Sequence, residues 1–518
     1  MTAAPHTAAP TEVVIGLDVG TTAVKAVAFG VDVYWRCTAE REYSLEQPAP
    51  GWQVQDPAAI GAAVIAALAE CVAGCAGARV LAVSLSSAMH GLIGLDADRH
   101  PLTPLVTWAD ERARGEARLL RDSGRAAELH RVSGAPVHPM TPLTKLMWFR
   151  REAAELHARV RWWIGLKDYV LQLLTESLVT ELSSASGTGM LDMATRSWSA
   201  PALDLAGVTP YQLPEILPTT AVLDLSASSA ASIGLPPGTP VVAGGADGPL
   251  GNLGSGAVAP GIVGLSLGTS GAVRTVVREP FADPDGRLFC YALTDTAWVV
   301  GGAVSNGGVV VRWVGDVFGR DLLAASGGAA TDTELLELAA RAPAGSDGLV
   351  MLPYLLAERA PLWDPDLRGA FIGVRHSHTR DHFVRAAVEG VALQLSTIVT
   401  ELERLEPVKA VQVTGGAFRS PLWRSVVAAV LNRPVHAAGD VEGSALGAAA
   451  LGLLALGRVT ELADGPARLG VLPVGEGDPV SVDPNDAAAY AQLRAGVSVL
   501  LDCYRPVATL FGAGSGPS

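Results

Sequence analysis

Short apolar runs punctuated by glycine dominate the chain, and the first sets the pattern for the rest. Val13-Val14-Ile15 leads into Gly16-Leu17-Asp18-Val19-Gly20-Thr21-Thr22-Ala23-Val24-Lys25, which predicts strands over 13–17 and 24–29 around a glycine turn. Residues 34–43 read as another strand. Asp56-Pro57 predicts a helix start, an acidic cap followed by a first-turn proline, with the helix running through alanines to about Gly74. Residues 80–86 read as a strand and 91–95 as further extended chain. Ala88-Met89-His90 lies between them, at the strand end where open α/β sheets place ligands. Trp108-Ala109-Asp110-Glu111-Arg112 leads into a charged helix, and Thr141-Pro142 starts one carrying Lys145 and Trp148. Helical and irregular chain follows to about Leu225, and 240–244 form a buried-type strand ending in Gly245-Ala246-Asp247-Gly248.

The pattern then restarts. Gly264-Leu265-Ser266-Leu267-Gly268-Thr269-Ser270 follows Ile262-Val263 and repeats the first hairpin in register, with Arg274 one residue later than Lys25. An apolar run from Trp298 leads to Asn306-Gly307-Gly308, and a short strand over 411–413 ends in Thr414-Gly415-Gly416. Ser420-Pro421 caps a helix to about Leu431, and Glu442-Gly443-Ser444 opens a last Ala/Leu-rich helix. Repeated hairpins, each followed by strands and helices, predict two homologous α/β lobes. We expect an N-terminal lobe over 11–257, a C-terminal lobe over 258–505, and disordered tails at 1–10 and 506–518.

Composition narrows the class of protein. The 518 residues are 49% hydrophobic, enough for a sizeable core, and at roughly 100–200 residues per domain they suggest two to four lobes. A net charge of -14 argues against a nucleic-acid or anionic-membrane partner. No basic, apolar leader starts the chain, and no uncharged apolar stretch reaches the ~18 residues of a membrane span, so a cytoplasmic protein is expected. Cys37, Cys71, Cys75, Cys290 and Cys503 make no disulfide framework and read as inert thiols.

The hairpins carry the first chemical signal. Glycines bring backbone amides close to an anion and threonines add hydroxyl donors, so two such hairpins suit a phosphate clamp. Only the first carries a carboxylate, Asp18. A bare carboxylate would repel phosphate, whereas Mg²⁺ takes a carboxylate, waters and phosphate oxygens together. Lys25 then offsets charge on the transferred phosphoryl group or is a plain surface lysine. Asp247, at a helix N-terminus after an apolar strand, suits a general base toward a substrate hydroxyl; an ordinary helix cap is the plainer reading. Met89, His90, Trp108, Asp110 and Lys145 suit a polar substrate pocket, against a backbone-bonded histidine and simple packing. Gly415-Gly416-Ala417 and Gly307-Gly308 suit either an adenine slot or tight helix–strand packing. No Gly-Lys-Ser or Gly-Lys-Thr P-loop occurs, and the protein-kinase signature set is missing.

Two longer stretches resemble the signatures of the FGGY carbohydrate kinase family. They are Met140-Thr141-Pro142-Leu143-Thr144-Lys145-Leu146-Met147-Trp148-Phe149, and Gly369-Ala370-Phe371-Ile372-Gly373-Val374 followed by His382-Phe383 and Ala386-Ala387-Val388-Glu389. The resemblance covers residues 13–458 and implies two actin-like, ribonuclease-H-like lobes with ATP in the cleft between them. It implies Asp247 as catalytic base, Asp18 as the metal-linked acid, and Thr21, Thr22, Lys25, Gly268 and Thr269 at the phosphates. Gly308, Gly415, Gly416 and Ser420 fall to the nucleotide; Met89, His90, Asp110, Lys145 and Gly248 fall to the sugar. Ser86-Ser87-Ala88-Met89-His90, Trp108-Ala109-Asp110, Gly187-Thr188-Gly189 and 303–308 are most similar to the family's gluconate kinases, although Gly91 and Glu111 depart from them. The expected reaction is Mg²⁺-dependent transfer from ATP to D-gluconate. A xylulose-type pentulose kinase is the alternative, and an actin- or chaperone-like ATPase switch the alternative from another class. A gluconate carboxylate needs a cation, and Arg112, Lys145, Lys167 and Arg359 are the candidates. The expected partners are a sugar or sugar acid and ATP, with no nucleic acid or membrane and with room for a homodimer.

Overall fold

The structure is a computed structural model that describes residues 10–512 apart from 76, 326–331, 365, 439–441 and 471–478. The chain folds into two compact units that interleave in sequence. One gathers Met1–Ala259, Val276–Val300 and Val441–Pro473; the other gathers Pro260–Thr275, Gly301–Asp440 and Val474–Ser518. The single cut expected near residue 257 is therefore the first of several crossings. The helix opened by Gly443 belongs with the first hairpin, not the second.

In the first unit, β1 (Glu12–Val19) and β2 (Ala23–Gly30) form the expected hairpin, followed by β3 (Arg36–Glu42). With β4 (Arg79–Ser87), β5 (Val222–Asp224) and β6 (Pro240–Ala246), they make a sheet in the order β5-β6-β4-β1-β2-β3. β1 pairs antiparallel with β2 and parallel with β4, and β4 pairs parallel with β6. Val13, Val14, Ile15 and Leu17 are all fully buried, as befits a central strand covered on both faces. One face meets Ile60, Val64, Leu68 and Cys71 of the helix Pro57–Gly74, whose N-cap Asp56 accepts from the Ala58 amide at 2.9 Å. The opposite face meets the helix Gly443–Ala455, which comes so close that a Cβ on Gly16 would lie 1.9 Å from the Ala445 carbonyl oxygen.

The second unit repeats this wiring. β7 (Ile262–Leu267) and β8 (Gly271–Val277) form the second hairpin, and β9 (Ala410–Thr414) lies parallel to β7 on its far side, followed by β10 (Val435–Ala437). The equivalence is residue by residue: Asp18 pairs with Ser86 across β1–β4, and Ser266 with Thr414 across β7–β9. The turns differ. Four residues lie between the paired Val19 and Val24, and three between Leu267 and Gly271, so Lys25 pairs with Asp18 while Arg274 pairs with Gly264.

Two helices, Pro57–Gly74 and Arg380–Leu402, are long and apolar enough to meet a membrane-span criterion, and both bury their apolar faces in these cores. The Gly443–Ala455 helix is not the last. Asp464–Arg468 and the 29-residue helix Pro484–Gly512 follow, so the tail expected from 506 is helical as far as Gly512. Residues 513–518 and 1–9 lie outside the described residues. Tyr490 secures the long helix, donating to Glu389 Oε1 at 2.7 Å and accepting from Arg385 at 2.8 Å. All five cysteines are free thiols.

Candidate active site

Asp18 stands at the end of β1, where its Oδ1 accepts from Ser86 Oγ at 2.7 Å across the parallel pair. Asp18 is half-buried. Burial and the negative charge of Asp247 push its pKa up to about 6, against the opposing pull of Ser86 and Lys25. A carboxylate whose ionisation is made costly in this way suits a hard divalent cation, which relieves it. Lys25 is less available than the sequence suggests. Its Nζ lies 3.2 Å from Glu442 Oε2 and 3.9 Å from Glu40 Oε2, and although burial works against its charge, Glu442 and Glu40 raise its pKa overall. Thr21 Oγ1 accepts from Trp108 Nε1 at 2.9 Å and its carbonyl accepts from Gln55 Nε2 at 2.7 Å, while Thr22 is exposed. The turn is thus braced from behind by Trp108 and Gln55.

Asp247 opens the helix Asp247–Gly254 immediately after β6. The β4–β6 register shifts between Val242 and Gly245, at Gly244, whose φ of +76° and position against the Leu85 carbonyl leave no room for a side chain. Such a bulge re-aims the chain beyond it. Asp247 Oδ1 accepts from the Gly248 amide at 2.8 Å, which uses Gly248's backbone for the carboxylate.

The expected sugar residues divide into two groups. Met89 and His90 line a small cavity of about 40 Å³ with Lys167, Asp168, Thr180 and Ser184. That volume holds a few waters at roughly 10–15 Å³ each, so a six-carbon acid does not lie inside it. His90 adopts φ +65°, and its Nδ1 lies 2.7 Å from the Gly187 carbonyl, which can only accept, so Nδ1 carries the hydrogen. Lys145 and Asp110 are both buried and engaged with protein. Lys145 Nζ donates to the carbonyls of His90 (2.6 Å), Thr107 (2.7 Å) and Val106 (3.3 Å), and burial pulls its pKa down to about 7. Asp110 accepts from the amides of Gln53 (2.6 Å) and Arg112 (3.0 Å) and pairs with the Arg112 guanidinium at 2.8 and 2.9 Å. That guanidinium stacks 3.7 Å from the Trp52 ring. Lys145 thus ties down the His90 carbonyl, and Asp110 ties Gln53 to Arg112.

In the second unit, Gly268, Thr269, Gly308, Gly416 and Ser420 all line one cavity of about 850 Å³. Residues from three separate stretches of the sequence, 268–269, 308 and 416–420, thus converge, in a volume typical of ligand sites. Gly415 lies just behind, at φ +100°, where a Cβ would be 2.4 Å from the Leu267 carbonyl. Gly308 serves packing as well, since its amide donates to the Gly268 carbonyl at 2.7 Å, so the hairpin turn caps the helix Gly308–Phe318. Arg312, Glu337, Arg419 and Trp423 also line this cavity, and sequence reasoning missed them because nothing marks a helix face as ligand-facing. Ser86 was singled out only as part of the gluconate-kinase-like stretch, and its bond to Asp18 was not anticipated, although Ser84 and Ser86 interrupting the apolar run of the strand were a visible signal.

Known proteins share this arrangement. The N-terminal domain model of the FGGY family of carbohydrate kinases matches residues 13–254, and the C-terminal domain model matches 263–456. The gluconokinase of Bacillus subtilis (strain 168) is 39% identical over 454 residues, 87% of this chain and 88% of its own length. The xylulose kinase of the same organism is 30% identical over 444 residues, 85% of this chain and 87% of its own. The crystal structure of gluconate kinase from Lactobacillus acidophilus matches at a TM-score of 0.90 and 32% identity, over 97% of this chain and 100% of that one. Ligand-bound xylulose kinase from the same species also gives 0.90 and 32%, over 96% and 100%. Two domain matches that together span most of the chain, on the folds and hairpins described, place it: the chain belongs to the FGGY family of carbohydrate kinases and is an ATP-dependent sugar kinase.

Proposed function

We propose that the enzyme transfers the γ-phosphoryl group of ATP to the terminal hydroxyl of D-gluconate, giving 6-phosphogluconate. The observation that carries the substrate is the 39% identity to a gluconokinase, against 30% to a xylulose kinase of the same organism. Asp247 takes the proton from the attacking hydroxyl, its ionised form favoured by the helix N-terminus it occupies. Asp18 would hold Mg²⁺, whose contribution there would be to neutralise phosphate charge. The cavity lined by Gly308, Gly416 and Ser420 takes the adenosine, and the two hairpin turns, with Thr21, Thr22, Gly268 and Thr269, take the phosphates. Lys25, tied to Glu442, acts there as a held charge. Met89 and His90 orient the sugar. Of the four cations considered for its carboxylate, Arg112, Lys145 and Lys167 are buried and engage protein partners, and the half-buried Arg359 donates to Ser305 Oγ at 3.2 Å and to the Val304 carbonyl at 2.9 Å.

The pentulose-kinase reading keeps a specific support, the equal structural match to a xylulose kinase. Coupled ADP release across gluconate, xylulose, ribulose and glycerol decides between them. Gluconate should give the highest kcat/KM, and Asp247→Ala should lower kcat on it by about 10²–10⁴-fold with the KM for ATP little changed. A preference for a neutral ketose would remove gluconate, and near-normal turnover by Asp247→Ala would remove the base.

A further inference from the structure

Behind the strand end that carries Met89 and His90 lies an ion pair that the reaction as described does not use. Lys167 Nζ pairs with Glu181 Oε1, the two side chains being 1% and 0% exposed. Glu181 is otherwise fully engaged. Its Oε2 accepts from the Ser183 amide at 2.5 Å and its Oε1 from the Ser184 amide at 2.7 Å. The carboxylate thereby fixes the first turn of the short helix Leu182–Ser186.

Two bonds leave this segment toward the site. Ser183 Oγ accepts from the Ala246 amide at 3.2 Å, and Ala246 is the residue before Asp247. The Gly187 carbonyl accepts from His90 Nδ1 at 2.7 Å. Ser186 ties the same turn down, donating to the Ser183 carbonyl at 2.6 Å and accepting from the Ala292 amide at 3.0 Å. The β4–β6 ladder is already irregular at Gly244, so the Ser183 hydroxyl supplies a bond to the chain where it leaves the sheet.

We propose that the Lys167–Glu181 pair is a positioning element for phosphoryl transfer: it fixes residues 182–187, which hold Asp247 through Ala246 and His90 through Gly187. This rests on the reading of Asp247 as the base and His90 as a sugar contact. A buried ion pair is a poor source of net stability, since desolvation offsets most of the attraction. Its directional bonds fix geometry instead, and misplacing a reacting group by about 1 Å can cost 10²-fold in rate.

The test is a double-mutant cycle in kcat between Ser183 and Asp247, with Glu181→Gln alongside. Ser183→Ala, a small change at a buried hydroxyl, should lower kcat about tenfold with the KM for ATP unchanged. Glu181→Gln should lower it by about 10–100-fold. In the Asp247→Ala background, Ser183→Ala should have little further effect on the residual turnover, because the base it positions is gone. A merely structural role would lower the melting temperature and reduce turnover equally in both backgrounds, and that result would overturn the inference. So would unchanged kcat in Ser183→Ala, whatever becomes of Glu181→Gln. Asp247→Ala measured alone reports on the base, so failure of that reading is seen separately.

Discussion

At the scale of single residues, Asp18 shows what the site demands of the fold. The folded protein holds its proton up to about pH 6, whereas an unfolded chain releases it near 3.8. Between those values folding takes up a proton, so this residue's favourable contribution is present below about pH 4 and is lost as pH rises through 6. At neutral pH the charged Asp18 is therefore a liability of up to about 3 kcal/mol, at ~1.4 kcal/mol per pKa unit. Asp18→Asn keeps an acceptor for Ser86 and should melt higher than the parent at pH 7.5 and much like it near pH 4. Its Mg²⁺-dependent turnover should fall by about 100-fold or more. Proton and cation compete for this carboxylate, so the parent's Mg²⁺ requirement should rise as pH falls through 6. A variant that melted no higher at pH 7.5 would contradict the assignment of strain to this charge. The sequence marked Asp18 because a carboxylate among phosphate-type glycines needs an explanation. It could not mark Glu442 as the partner of Lys25, since no local pattern joins a hairpin to a distant helix cap.

At the scale of elements, several glycines serve close packing rather than ligand approach. Gly447 sits where a Cβ would lie 1.9 Å from the Leu250 carbonyl, and Gly254 where one would lie 1.9 Å from that of Gly443. The helices Asp247–Gly254 and Gly443–Ala455 thus meet backbone to backbone, and Ser444 Oγ donates to the Asp247 carbonyl at 3.2 Å. Gly447→Ala should cost about 3 kcal/mol or more, as overpacking against backbone that has nowhere to move. Gly496→Ala, inside the helix Pro484–Gly512 with open space around it, should be neutral or stabilise by up to about 1 kcal/mol. Thermal melts of the two variants give the comparison; equal melting temperatures would refute the close-packing account. Strands and helix starts were legible because apolar runs, Asp56-Pro57 and Ser420-Pro421 act locally. Which glycines face a ligand and which face a helix was not, because both uses ask for the same missing side chain.

At the scale of the whole molecule, duplication was readable from the repeated hairpin, and interleaving was not. The segment Val441–Pro473, which returns to the first unit, opens with an Ala/Leu-rich helix, and that composition does not say which hairpin the helix covers. Each unit holds its own part of the proposed nucleotide contacts, which hydrogen exchange can separate. Adenosine alone should slow exchange at 416–420, and Mg²⁺–ATP should add protection at 20–22 and 268–270. Protection at 20–22 by adenosine alone would contradict that division. The return of the chain to its first hairpin has a consequence in time. Lys25 and Glu442 are 417 residues apart. At about 5–20 residues per second, the ribosome needs roughly 20–80 s between them. Throughout that interval β1 has been made, while the helix that covers Gly16 has not. The first hairpin to be synthesised is thus among the last to be completed, and a nascent chain halted before residue 443 carries its sheet with one face uncovered.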